Sequence, residues 1–422
     1  MALGAPPTTL AITLPPAIQD RRERFLSCIL PKTLHDAHHL KTGLVPWLLY
    51  IENQLQDGPC ASNVRDFMAL MGIPDPGSFT SVYDLLHDII EVIQTPKRRS
   101  ISIDQIITLV SKRRGQAIND GNVPPAAHQA LFCIVGCLTL LFCWNNPASP
   151  DEFSIKNAAE ITQVRAKAAQ RGFGKVLRNF GRQFVQPEPA EGLLVCANLD
   201  YSTLSVVTKL QLEFVSDINL HLLFNPVTRK LCIFSFPAFC ALWCNPASEW
   251  TYLDGIIGDL NDKNSAEIIR LQFQEILLSL RVLFAYNPES RKLFFKSYYS
   301  QLDIHLEDRE FWKSLLAKPK SKRLASLPTY CWPPPATNSE GTLLDQPDFD
   351  RSCDFIALGD RLERLQHYCM KHNPQKLRDM WYDRRNRQQW VTFWAAIIIG
   401  ATSIILSLVQ VILAGIQIKS SS

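Results

Sequence analysis

Near its C-terminus the chain carries 28 consecutive residues without a charge, Val391 to Ile418, and no other stretch limits its possible folds as strongly. An α-helix rises about 1.5 Å per residue, so the run reaches roughly 42 Å. That exceeds the roughly 30 Å hydrocarbon core of a bilayer, and core helices of soluble proteins are seldom so long and charge-free. Trp390, Phe393 and Trp394 stand at its entry, where aromatic rings favour the headgroup region, and Arg384, Arg385 and Arg387 lie just before it. The run is expected to span a membrane, with Gly400, Ser403, Ser407 and Gln410 inside it.

Three arginines before the span against Lys419 after it place the N-terminal side, and with it the bulk of the chain, in the cytosol. Residues 1–19 are mostly apolar, yet they lack a basic n-region and are broken by Pro6, Pro7, Pro15 and Pro16. They are expected as a disordered lead-in and not as an export signal. No Asn-x-Ser/Thr with x other than Pro occurs, which agrees with a cytosolic body. The 12 cysteines fall largely in apolar runs such as Cys133, Cys137, Cys143 and Cys232, Cys240, Cys244. There a free thiol behaves as a small hydrophobe; disulfides and metal centres are not expected.

With 422 residues, 46% of them hydrophobic, the chain can bury one or two sizeable cores. The net charge of +4 is supplied wholly by Arg384, Arg385, Arg387 and Lys419, so residues 1–383 balance to zero. A neutral body argues against nucleic acid as a partner.

Helical periodicity marks residues 46–55, 63–71, 79–94 and 103–113, the last with Ser102 as N-cap. Residues 130–144 are charge-free but too short to span and are expected as a central buried helix. The cluster His35, Asp36, His38, His39 has no matching acidic or histidine pair nearby and is expected as a solvated helix end. Between Ile161 and Phe184, Arg171, Lys175, Arg178 and Arg182 recur at helical spacing, with Phe173, Leu177, Phe180 and Phe184 on the far face. This predicts a basic amphipathic helix, either packed on the body or held against anionic lipid or a partner's groove; Gly172, Gly174 and Gly181 weigh against it.

Beyond Pro189 the period changes: residues 218–224 alternate, Asn225-Pro226-Val227-Thr228 makes a turn, and Leu231, Ile233 and Phe234 continue, which predicts a β-hairpin with His221 on its polar face. Asn-Pro-x-Ser/Thr recurs at Asn146, Asn225, Asn245 and Asn287, as turn chemistry or as an irregular helical repeat. Helices follow at 265–286, 291–300 and 311–316. Residues 328–350, rich in proline, are expected as a linker, and residues 351–390 as juxtamembrane helices. The expected architecture is α+β: a mainly α-helical soluble body over 20–327 with a β-hairpin or small sheet, a possible sub-boundary near 150–190, one C-terminal transmembrane helix over 391–418, and a short tail, 419–422.

Within the span, Ala396, Gly400, Ser403, Ser407, Gln410, Ala414 and Gln417 form a heptad seam of small and polar residues. Such seams let helices approach, so the span is expected to pack against another helix, most simply its own copy, with a different partner helix or an unpartnered span as the alternatives.

Asp217 to Leu222 with Phe236-Pro237-Ala238-Phe239-Cys240, then Leu358 to Leu362, Asp383-Arg384-Arg385-Asn386 and Gln389 to Trp394, resemble a family of uncharacterised filamentous-fungal proteins that end in one membrane helix. Many relatives have Pro after Asp-Arg-Arg-Asn, where this chain has Arg387. The resemblance runs from about Val82 onward and implies a fungal, membrane-tethered, tail-anchored protein, of an accessory gene cluster affecting colony or cell-surface traits; it brings no catalytic residues.

The chain lacks G-x-S-x-G, H-E-x-x-H, a phosphate loop and a dinucleotide fingerprint. The function expected is a membrane-tethered, non-enzymatic interaction or scaffold protein without a cofactor, acting on a protein partner. The alternative is a membrane-anchored enzyme with an unrecognised site.

Overall fold

A computed structural model describes residues 15–30, 38–94, 101–116, 118, 123–145, 149, 152–156, 161–165, 170–179, 191–245, 256, 265–301, 308–318, 320–339, 343–344, 346–372 and 387–420. The architecture is α+β, mainly helical, with small sheets and one long apolar C-terminal helix.

The N-terminal part is a stack of helices: α1 (Pro16–Ile29), α2 (His38–Gly43), α3 (Val45–Gln56), α4 (Ala61–Leu70), α5 (Phe79–Gln94), α6 (Ile103–Arg113) and α7 (Pro125–Thr139). The stripe expected on α5 is buried as its spacing requires, with Val82, Leu85, Leu86, Ile89, Ile90 and Ile93 inside. Ser102 caps α6 in a reciprocal box: its hydroxyl accepts from Gln105 N at 3.2 Å while Gln105 Oε1 accepts from Ser102 N at 3.0 Å. Helix α7 is the central buried helix, but it occupies 125–139 and not 130–144. Leu140 takes a left-handed backbone (φ 54) that ends it, and Cys143–Trp144 becomes strand β1.

Strand β1 opens an antiparallel sheet with β2 (Glu152–Lys156) and β3 (Ile161–Arg165). The helix expected over 161–184 is therefore a strand followed by the seven-residue helix α8 (Phe173–Asn179). Pairing with β2 claims residues 161–165, and Phe173 inserts beside Phe132 and Phe142 with ring centroids 5.9 and 6.3 Å away. Residues 180–190 lie outside the described residues, as do 1–14, the bulk of the expected lead-in; Pro16 to Gln19 of that lead-in are helical.

Next come β4 (Leu193–Val195), α9 (Cys196–Leu199), α10 (Tyr201–Thr208), β5 (Gln211–Val215), β6 (Phe224–Asn225), β7 (Lys230–Phe234) and α11 (Pro237–Trp243). The hairpin exists as β6 and β7, with only Phe224 and Asn225 on its first arm, and β5 adds to β7 in parallel. Ile218–Leu220 is a 3-10 turn, because the Asp217 carboxylate accepts from Asn219 N at 2.9 Å and favours the turn over extension. Two of the four Asn-Pro copies act as turn and cap: Asn225 Oδ1 accepts from Val227 N and Thr228 N, and Asn287 Oδ1 from Glu289 N, while Asn146 and the residues following Asn245 lie outside the described residues.

The C-terminal half adds α12 (Ser265–Phe284), α13 (Pro288–Gln301), α14 (Asp308–Leu315), α15 (Lys322–Ala325), β8 (Asp348–Asp350), α16 (Arg351–Asp354), α17 (Gly359–Lys371) and α18 (Arg387–Ser420). Residues 328–350 differ from the linker expected. Cys331, Trp332 and Ala336 are buried in the same contiguous core as α7 and α12, and β8 pairs with β4. Prolines exclude regular helix there, but the Cys and Trp side chains still repay burial. Residues 359–371 likewise belong to the body, with Leu362, Leu365 and Cys369 inside.

Candidate functional site

The apolar helix is the feature that the body does not absorb. Within α18, Val391–Leu413 has a mean hydropathy of 2.5, is 23 residues long and has no buried residue, with Phe393 and Trp394 half-buried at its entry and the rest exposed. Twenty-three residues rise about 35 Å, enough for a bilayer core. Three of its hydroxyls are satisfied along the helix itself: Thr402, Ser403 and Ser407 donate to the carbonyls of Ile398, Ile399 and Ser403, at 2.8 to 2.9 Å. That is the arrangement lipid requires. Of the seam, Gly400 faces open space, where an added Cβ meets nothing within 4 Å, and Gln410 is exposed. At the entry the Phe393 and Trp394 rings lie edge to face, 6.3 Å apart. Arg387, Trp390 and Ile418 are placed on the helix by their backbone, while Arg384 and Arg385 lie outside the described residues.

The last described helix before this span, α17, is fastened to the body by polar contacts that local sequence pattern does not single out. Glu275 of α12, fully buried, accepts from Ala357 N (2.9 Å) and Leu358 N (2.7 Å), the amides that lead into α17. Burial pushes its carboxyl up to about 7 and nearby Asp354 adds to this, against the pull of the backbone donors. Arg361 of α17 donates to the carbonyls of Asn219 (2.8 Å) and His221. Gln366 donates to Leu193 O at 2.9 Å and accepts from Val195 N at 2.7 Å, bracketing β4. A charged residue between Phe273 and the apolar run Ile276 to Leu278 was the readable signal for Glu275. Nothing in local spacing connects it to Leu358, 83 residues on.

His221, expected on a polar strand face, is buried. Its Nδ1 accepts from Phe234 N at 3.1 Å and its Nε2 lies 2.8 Å from Ser279 Oγ. Burial, with the Arg361 guanidinium beside it, lowers its pKa to about 3, so the ring is neutral and structural. Asp200 collects Ser290 Oγ, Asn287 Nδ2 (3.0 Å) and Ser202 Oγ, which ties α10 to α13. Arg22 grips Glu52 in a fork (2.7 and 2.6 Å), and Tyr83 donates to the same carboxylate at 2.6 Å, tying α1, α3 and α5 together. Each of these groups is spent on holding elements together.

A shallow cleft of about 140 Å³ opens between α1, α5 and α6, lined by Arg21, Arg24, Tyr83, Asp84, His87, Asp88 and Arg114. His87, Asp88 and Glu91 sit close enough to suggest a metal. Arg113 lies 3.2 Å from Asp88 and also meets Glu91, Arg114 meets Asp88, and Arg21 meets Asp84. Guanidinium groups already supply the positive charge that a cation would bring.

Of the basic residues expected on one helix, Arg171 and Lys175 are exposed, while the Arg178 side chain and the whole of Arg182 lie outside the described residues. So do His35, Asp36 and the side chains of His38 and His39. All 12 cysteines are free, and eight of them are buried. Burial raises the thiols of Cys240, Cys244 and Cys331, which keeps them protonated and inert.

Searches against protein-family models, curated proteins and solved structures find no match to this chain.

Proposed function

We propose that the chain is a membrane-tethered interaction protein: a packed body held at a membrane by α18, with the body on the cytosolic side and a protein partner, its own copy included, as what it binds. The observation that carries this reading is the exposure of the 23-residue apolar helix, none of whose residues is buried, beside a body with one contiguous core of its own. Transferring such a helix into lipid removes its apolar surface from water, a gain of about 25 cal/mol per Å². The internal use of His221, Glu275, Asp200 and the Arg22–Glu52 pair supports a binding role over a catalytic one, since these buried titratable groups already have structural work. Orientation follows from the arginines before the span, and the fungal family that the tail motifs resemble agrees with a single tail anchor. Protease added to sealed microsomes carrying the full chain should digest the body and leave a fragment of α18. Complete protection of the body would overturn the orientation.

A further inference from the structure

Outside the span, four large apolar residues stand exposed among the described residues: Leu193 (59%), Val227 (89%), Leu344 (38%) and Met370 (55%). Three of them belong to α17 or to elements in contact with it. Met370 is on its last turn, Leu193 O accepts from Gln366 of α17, and Val227 tips the β6–β7 turn, whose Phe224 ring lies 4.6 Å from that of Tyr368 in α17. Val227 follows Phe224 by three residues, at most about 11 Å of chain, so the turn tip stays near the end of α17. The Asn225 carboxamide holds that tip, accepting from Val227 N at 2.9 Å and Thr228 N at 3.1 Å, which keeps Val227 in the open. Basic residues accompany them: Arg229 in the turn, Lys230 at the start of β7, which shares its charge with Glu213 at 3.3 Å, and Lys371 at the end of α17.

This is also the place from which the span departs. Residues 373–386 join His372 to the first residue of α18, and 14 residues reach about 50 Å at most. A body of some 370 residues has a radius of gyration of about 21 Å, hence a diameter of about 54 Å. Its opposite face could reach the bilayer only by stretching that segment to its limit. The face around α17 reaches it without strain.

Resting on the tether reading above, we propose that this face, with Val227 and Met370 as apolar contacts and Arg229 and Lys371 as cationic ones, sits on an anionic lipid surface. Three separate apolar side chains make no continuous groove and fall short of the roughly 800 Å² per partner of a stable protein interface. Shallow insertion of single apolar residues beside basic ones matches the boundary between acyl chains and acidic headgroups. Leu344, which belongs neither to α17 nor to the β6–β7 turn, provides the internal control.

The test reconstitutes the full chain into vesicles of phosphatidylcholine with phosphatidylserine, with a photoreactive benzophenone residue replacing Val227, Met370 or Leu344 in turn. Lipid adducts are expected from positions 227 and 370 and not from 344, with loss of the adducts in the Arg229→Glu/Lys371→Glu variant. Absence of lipid adducts at 227 and 370 in a chain that still resists alkaline carbonate would overturn the lipid face and leave the tether intact. Adducts to protein alone, or equal lipid labelling from 344, would overturn it too. Release of the chain by carbonate would overturn the tether and this face with it.

Discussion

At the scale of single residues, two buried titratable groups pull the pH dependence of stability in opposite directions. Glu275 titrates near 7 in the folded body against 4.5 for a free side chain, so the fold holds a proton that the unfolded chain has lost between those values. Its contribution is whole below pH 4.5 and is lost as pH rises through 7. His221 is the reverse, neutral down to about 3 in the fold against 6.5 when free, so its contribution is present above 6.5 and lost as pH falls through 3. Between 4.5 and 6.5 the two slopes cancel. Glu275→Gln removes one of them. Urea unfolding of this variant in detergent should show its stability improving relative to wild type by about 3 kcal/mol in total from pH 4.5 to 7; a difference that stays constant with pH would contradict the assignment. The Arg22–Glu52–Tyr83 cluster makes a second prediction. Glu52→Leu alone strands a buried guanidinium and should cost about 3 to 5 kcal/mol. The triple variant Arg22→Met, Glu52→Leu, Tyr83→Phe strands nothing and should recover most of that loss in the same assay. Such partners were not readable in advance: Arg22 and Glu52 are 30 residues apart and each reads alone as a surface charge.

At the scale of elements, what was legible depended on whether local pattern or long-range pairing decides the outcome. Helices α5, α6 and α12 were readable because their apolar stripes and caps lie within one window of sequence. Residues 161–184 misled the helical reading because basic and aromatic residues at spacings of three and four fit a helix, while pairing of β3 with β2 took the first five of them. Residues 328–350 misled it in another way, since proline content signals the absence of helix and says nothing about whether Trp332 finds a core. For α18 the structure refines the expected seam. The Ser403 and Ser407 hydroxyls already bond to their own helix, which leaves close approach at Gly400 and the carboxamide of Gln410 to carry the self-association proposed for the span. In an energy-transfer assay of the span in membranes, Gly400→Ile should abolish most association and Gln410→Leu weaken it by about 0.6 to 2 kcal/mol. Ser407→Ala should change little. Strong association in all three variants would place the interface elsewhere.

At the scale of the whole molecule, the body and the apolar helix solve different problems. The body closes one core over residues from Phe25 to Cys369 and leaves four large apolar residues exposed on its described surface. The helix exposes its aliphatic side chains, from Ile397 at 40% to Val411 at 72%, with Phe393 and Trp394 half-buried. That division was visible in the sequence, because charge-free length is a property of one segment, whereas the fastening of α17 by Glu275, Arg361 and Gln366 became visible only in three dimensions. The central claim is that Val391–Leu413 holds the chain in a bilayer. Alkaline carbonate extraction of membranes tests it most directly, comparing wild type with Ile399→Arg/Ile405→Arg, where each arginine near mid-span costs about 2.5 to 3.5 kcal/mol of insertion. The wild-type chain should remain in the membrane pellet and the double variant should move to the supernatant; a wild-type chain released by carbonate, or a double variant retained as fully as wild type, would contradict the claim.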